Sequence, residues 1–205
     1  NHTSIMTARP RDNSPGFDGH NWSMAAYATD YTEKTLPQVY SGRGRSYDFE
    51  GTNRDRPTDD DAAEPAMGYL WDLAQRRGLS FRNFGEFVLE VDQDKEAGKH
   101  GPLPAWYRGL KPFLETHTDS AFPGFDMDKP DQLRADRWLA VLAEWERSGT
   151  MPALQILRLP NDHTAGTRPG MPTPRAYLAD NDLALGRVIE GLSKSRFWSS
   201  TVVFV

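Results

Sequence analysis

The chain has 205 residues, of which 24 are basic and 29 acidic, giving a formal net charge of −5 at pH 7, with 17 glycines, 15 prolines and no cysteine. That length holds one sizeable α/β domain, or one domain with a long insertion, and its charges are too interspersed to form the basic field that grips a nucleic-acid backbone. The missing cysteines exclude disulfides, thiolate metal sites and a cysteine nucleophile; no apolar run reaches the roughly 18 residues of a membrane span, and the first residues carry no signal-peptide pattern.

Residues 1–17 are rich in Arg, Asp, Asn, Ser and Pro without an apolar period and read as an irregular lead-in to a domain covering 18–205. Met24, Ala25, Ala28 and Tyr31 then recur at helical spacing, predicting a short helix that opens just after Gly19-His20. A Gly- and Asp-rich stretch from Ser41 to Asp61 reads as loop. A helix follows from about Ala62 to Arg77, with Met67, Leu70, Trp71 and Ala74 on one side and Gly78 as its stop. Phe81 to Val91 reads as a strand, and the stretch from about 92 to 130, first charged and then rich in proline and aromatic residues, as a loop-rich insertion over the domain.

The last third carries the clearest periods. Ala135, Trp138, Leu139, Leu142 and Trp145 fall on one stripe of a helix from about Asp131 to Ser148, ended by Gly149. Ala153–Leu159 reads as a buried strand, 160–174 as a Pro- and Gly-rich loop, and Arg175–Leu192 as a helix with Leu185, Val188, Ile189 and Leu192 inward. The β-branched run Thr201–Val205 reads as the next buried strand, and because the chain stops inside it, both ends are expected to be cuts in a longer sequence. Strand, loop, helix and strand in this order make a crossover between parallel strands, whose first loop lies at the ligand-binding edge of an α/β sheet.

That loop opens with Asn161-Asp162-His163-Thr164. A carboxylate beside an imidazole suits a divalent metal of borderline hardness; equally, Asp162 can cap the loop and His163 can be an ordinary surface histidine, since two ligands do not define a site. The second candidate is Asp18-Gly19-His20-Asn21-Trp22-Ser23 at the expected helix start, where free N–H groups and the positive dipole end suit a phosphate and Asn21 or Ser23 can meet it. Ordinary capping by Asn21 or Ser23 accounts for the same residues. His100, His117, Arg43 and Arg45 are weaker candidates, better read as solvated loop residues. The sequence has no Gly-x-Ser-x-Gly elbow, Walker loop, dinucleotide fingerprint or His-Glu-x-x-His helix.

Four blocks resemble one family. They are Gly19-His20-Asn21-Trp22-Ser23-Met24-Ala25-Ala26-Tyr27-Ala28-Thr29-Asp30-Tyr31, Ser41–Arg45 with Tyr47–Gly51, Leu159-Pro160-Asn161-Asp162-His163-Thr164, and Leu178–Gly186. Together they are similar to the bacterial phospholipase C and acid phosphatase branch of the alkaline phosphatase superfamily, over most of the chain from Asp18 to Val205. The resemblance implies an α/β sandwich around a largely parallel sheet, incomplete here at both ends. It also implies an exported hydrolase acting on small-molecule or lipid phosphate esters with a divalent metal ion. By the same resemblance His20, Asn21 and Ser23 belong to the part that handles the phosphoryl group, and Asp162 and His163 bind the metal. The Glu-Asn pair that the resemblance places ahead of the second block is missing, Asn1 to Pro15 does not look like the family's sequence at that point, and the aspartate-rich motif expected after the strand at Thr201–Val205 does not follow it. The chain by itself is therefore expected to bind metal poorly and to be catalytically inactive. The competing expectation is a binding module that keeps the fold without the chemistry and uses Pro102–Pro130 as a contact surface.

Overall fold

The computed structural model describes residues 16–41, 62, 64–90 and 107–205. Among them lie six helices and two two-stranded sheets in a mixed α/β arrangement, and one of the two strand pairs is parallel. The elements in chain order are α1 (Gly16–Ala25), α2 (Asp30–Tyr40), α3 (Leu70–Arg76), β1 (Phe81–Phe84), β2 (Val88–Glu90) and β3 (Tyr107–Gly109). They continue with α4 (Pro112–His117), α5 (Asp131–Ser148), β4 (Leu154–Leu157), a 3₁₀ turn at Pro160–His163, α6 (Pro174–Ser193) and a second 3₁₀ turn at Trp198–Ser200. None of these helices is long and apolar enough to cross a membrane. The chain divides into two compact units, one within Asn1–Leu79 and Leu110–Leu114, the other within Ser80–Gly109 and Glu115–Val205.

In the first unit, α1 starts at Gly16, a turn earlier than the periodicity predicts, so Asn21 and Ser23 sit inside the helix and not at its N-terminus. It ends where Ala26 turns to φ 52°, its N–H donating to Trp22 O at 2.7 Å. The helix expected over 62–77 is confined to Leu70–Arg76. Ahead of it Gly68, at φ 73°, donates its N–H to Pro65 O at 2.8 Å, which closes a turn instead of a helical repeat. Asp72 Oδ2 then accepts the Tyr69 N–H at 2.7 Å, satisfying one of the free donors of the first turn. Gly78 ends the helix at φ 64°, a left-handed backbone that glycine adopts at little cost. Residues 42–61 of the Ser41–Asp61 stretch, with Arg43 and Arg45, lie outside the described residues, as do His100 with all of the 92–106 segment and the lead-in before Gly16.

The second unit carries the larger core. β1 pairs parallel with β4 from Phe81 opposite Leu154 to Phe84 opposite Leu157, and β2 pairs antiparallel with β3. The expected strand over 81–91 is two strands in two sheets. Asn83 causes the break: its Nδ2 donates to Glu86 O at 2.7 Å and to Thr118 Oγ1 at 2.9 Å, while its Oδ1 accepts the Glu86 N–H at 3.2 Å. Gly85 at φ 91° and Phe87 at φ 47° complete the turn.

Helices α5 and α6 pack on each other through Ala135, Trp138, Val141 and Leu142 facing Ala184, Val188 and Leu192, with Phe84 and Phe122 joining the same cluster. Each of the larger side chains in this cluster, the two alanines apart, contributes roughly 1.5–3 kcal/mol by burial. The α5 stripe is the one the sequence predicts, and Gly149 at φ 75° stops the helix by donating its N–H to Trp145 O at 2.8 Å. Thr173 caps α6, accepting the Ala176 N–H at 3.2 Å, with Pro174 in its first turn. Thr201–Val205, expected as a buried strand, makes no ladder with any described residue, and Phe204 and Val205 are 91% and 96% exposed. A β-branched run becomes a strand only beside another strand that takes its hydrogen bonds.

Candidate functional site

β4 leaves the parallel pair at Leu157 and the chain enters the 3₁₀ turn Pro160–His163 after two intervening residues. Asp162 is exposed and His163 half-buried, so both side chains sit at the mouth of a strand end. The turn is closed by the Thr164 N–H, which donates to Asn161 O at 3.1 Å. Thr164 itself is held at φ 55°, ψ 159°, a region that β-branched residues avoid at a cost of about 1–3 kcal/mol. Something must hold it there.

The restraint comes from beneath. Asn161 is buried, and its N–H donates to Asp131 Oδ2 at 3.0 Å while its Nδ2 donates to Asp180 Oδ2 at 2.6 Å. Asn181 Nδ2 donates to Leu159 O at 2.8 Å and to Asp131 Oδ2 at 2.9 Å. Asp180 Oδ2 also accepts the Asp131 N–H at 2.6 Å, so the start of α5 and the middle of α6 are tied to the same turn. Burial pushes the Asp131 carboxyl above its ordinary value, against the bonds from Asn181 and Asn161 and the charge of Arg134, which act in the opposite direction.

One side of the site is formed by residues 123–129. Arg134, wholly buried, organises them: its guanidinium donates to Pro123 O, Gly124 O, Asp126 O and Lys129 O at 2.6–3.1 Å and to Asp131 Oδ1 at 3.0 Å. A buried cation is tolerated only when its donors are satisfied and a counter-charge is near, and here both conditions hold. Tyr177 Oη adds a bond to Met127 O at 2.8 Å. The segment so fixed presents Phe125 edge-on to the His163 ring, centroids 5.2 Å apart, and the Arg158 guanidinium lies over the Phe125 face at 5.2 Å. Glu86 sits behind Arg158, with Oε2 3.9 Å from its Nε.

The other candidate residues lie in the first unit. Asn21 is buried and accepts a hydrogen bond from Tyr69 Oη at 3.0 Å, His20 is half-buried, and Ser23 is exposed on α1. The free helix N-terminus that made this segment attractive for an anion is therefore not at Asn21 or Ser23, because the chain is already helical from Gly16. His117 belongs to neither candidate site; its ring is 6.1 Å from that of Phe81.

A zinc-like ion typically takes about three or four protein ligands. Among the described residues no group of three or more His, Cys, Asp or Glu gathers in that way. Asp162 and His163 have the right donor chemistry but supply only part of a coordination shell. The residues that sequence reasoning missed are Asp131, Arg134 and Phe125. The first two read as ordinary polar positions of a helix, and their burial depends on partners that no local pattern announces. Comparison of the chain with protein-family models, with curated proteins and with solved structures returns no match.

Proposed function

We propose that the chain is part of an exported, metal-dependent phosphoesterase of the alkaline phosphatase superfamily, whose complete fold is a sandwich around a largely parallel sheet. In this reading Asp162 and His163 supply two ligands to a divalent metal, the rest coming from outside the described residues. The observation that carries it is the position of Asn161-Asp162-His163 immediately past the C-terminal end of a parallel strand, in a strained turn anchored from below. Open α/β sheets bind their ligands at that edge.

The metal, when bound, would polarise the phosphoryl oxygens of a small-molecule or lipid phosphate ester. The chain's own residues have separate tasks. His163 offers an imidazole nitrogen and Asp162 a carboxylate, and Asn161 fixes the backbone between them and β4. Phe125 meets one side of the His163 ring edge-on. In α1, considered by itself, Ser23 is exposed and Asn21 is engaged by Tyr69; a phosphoryl-handling role for His20, Asn21 and Ser23 rests on the family resemblance alone. With part of the ligand shell, the 205-residue chain is expected to turn over little or nothing.

The test is calorimetric titration of the chain with Zn²⁺ or Mn²⁺, alone and as Asp162→Ala and His163→Ala, alongside an assay with p-nitrophenyl phosphate. Weak binding that either substitution abolishes supports the reading. Absence of binding by the parent chain refutes the metal site, and chelator-sensitive hydrolysis by the chain refutes its expected inactivity.

A further inference from the structure

Two carboxylates and two carboxamides alternate beneath the Asp162-His163 turn: Asp131 and Asp180, Asn161 and Asn181. Their hydrogen bonds converge on Leu159 O, on the Asn161 backbone N–H and on the Asn161 side chain, that is, on the two positions that set the course of the chain from β4 into the turn. We propose that Asp180 and Asn181 of α6, with Asp131 of α5 as their hub, are positioning residues for the turn that carries Asp162 and His163. The assignment of these residues to a phosphoesterase site rests on the function proposed above; the positioning itself rests on the geometry.

Packing of α5 on α6 does not require this network. Those helices already bury Ala135, Trp138, Leu142, Ala184, Val188 and Leu192 between them, and a buried polar cluster is seldom more stabilising than apolar residues of the same volume. Two further details point the same way. Asn161 Oδ1 is buried with no hydrogen-bond partner among the described residues, an arrangement that stability alone disfavours. Thr164, three residues after Asn161, is held in a backbone conformation that only an over-determined turn sustains. Asp180 bonds to the Asn161 side chain and Asn181 to the Leu159 carbonyl, and it is through these two positions that they act on the turn.

The experiment compares Asn181→Ala, Asp180→Ala and the conservative Asp180→Asn in the full chain. Amide exchange at Thr164 and the His163 ring resonances of the metal-free protein report the turn, thermal unfolding reports the fold, and Zn²⁺ titration reports the ligand pair. Both alanine variants are expected to speed Thr164 exchange and shift the His163 signals, and to weaken Zn²⁺ binding about tenfold or more, the usual consequence of losing an outer-shell partner. Asp180→Asn keeps an acceptor oxygen for the Asn161 Nδ2 and the Asp131 N–H and is expected to restore the parent behaviour. A lowered unfolding temperature with Thr164 exchange and His163 signals unchanged overturns the proposal, because the network then only fastens two helices. If the parent takes up no Zn²⁺ but the turn signals respond, the positioning stands and the metal reading falls. Should Asn181→Ala fail to fold, Asp180→Ala at its half-buried position carries the same comparison.

Discussion

Arg137 meets Asp119 with two nitrogens, Nε 2.9 Å from Oδ1 and Nη2 2.8 Å from Oδ2, and Arg82 reaches the same Oδ2 at 2.9 Å. The carboxylate is fully buried, whereas about a third of each arginine side chain is exposed, 34% and 32%. Burial raises the Asp119 pKa, but the bonds from Arg137 and Arg82 outweigh it and hold the carboxyl below its ordinary 3.8. A depressed folded pKa gives stability that is present above 3.8 and is lost as pH falls through the lower folded value. Asp119→Asn is expected to cost roughly 2–4 kcal/mol at neutral pH, below the usual figure for a broken buried pair because solvent reaches the arginines. Urea unfolding across a pH series checks it: the gap between parent and variant should close on the acid side of 3.8, and a pH-independent gap would show that the charge is not the cause.

Gly85 turns the chain from β1 toward β2 at φ 91°, and a Cβ there would come within 3.0 Å of the Phe122 ring and 3.2 Å of Pro123 O. Both the backbone and the space therefore demand glycine. Gly85→Ala is expected to destabilise by about 2–3 kcal/mol, combining the positive-φ penalty with overpacking. A denaturant midpoint equal to that of the parent would contradict it.

The edge contact of Phe125 with His163 predicts a spectroscopic effect. Phe125→Leu removes the ring current from the imidazole and the aromatic face from Arg158, at a stability cost below about 1.5 kcal/mol because Phe125 is half exposed. The His163 ring protons should shift while core methyl signals stay in place. Unmoved His163 signals would mean that the two rings do not meet in solution.

Thr164→Gly addresses the strain in the turn directly. Glycine relieves the cost of φ 55°, loses the Oγ1 acceptor that the Gly166 N–H uses at 3.2 Å, and adds unfolded-state freedom. The net expectation is a gain of up to about 1 kcal/mol, with weaker Zn²⁺ binding as the turn loses its rigidity. A drop in unfolding temperature would place the strain elsewhere.

Elements whose formation depends on their own residues were legible in the sequence. Helix α5 lies where its apolar stripe and Gly149 put it, α6 where its own stripe puts it, with Pro174 joining its first turn instead of the loop, and β4 falls inside the run Ala153–Leu159. Elements decided by a distant partner were not. Between Phe84 and Val91 only Gly85 hints at a break, and the Asn83 side chain that fixes it is itself held by Thr118, 35 positions away. Thr201–Val205 has strand composition but no described strand to join; the turn ahead of Leu70, by contrast, is local, made by Gly68 and Pro65, and is missed because the apolar period runs through it. The same holds at the candidate site: the Asn161–Thr164 turn stands out as a motif, whereas Asp131 resembles any first-turn acid of a helix and Asp180 any solvated one.

Ser80 Oγ accepts the Ala153 N–H across 73 positions of chain, at the very edge of the β1–β4 ladder. Bringing such distant segments together costs about 4 kcal/mol of loop entropy before any ladder bond is made, while the turns of α5 and α6 form from neighbours. Strand pairing is thus expected to come late in assembly, so that in stopped-flow folding and unfolding truncation of Phe81 or Ile156 should accelerate unfolding far more than it slows folding. The strand end that presents Asp162 and His163 is then among the last parts of this unit to take shape, and by the same reasoning among the first to be lost.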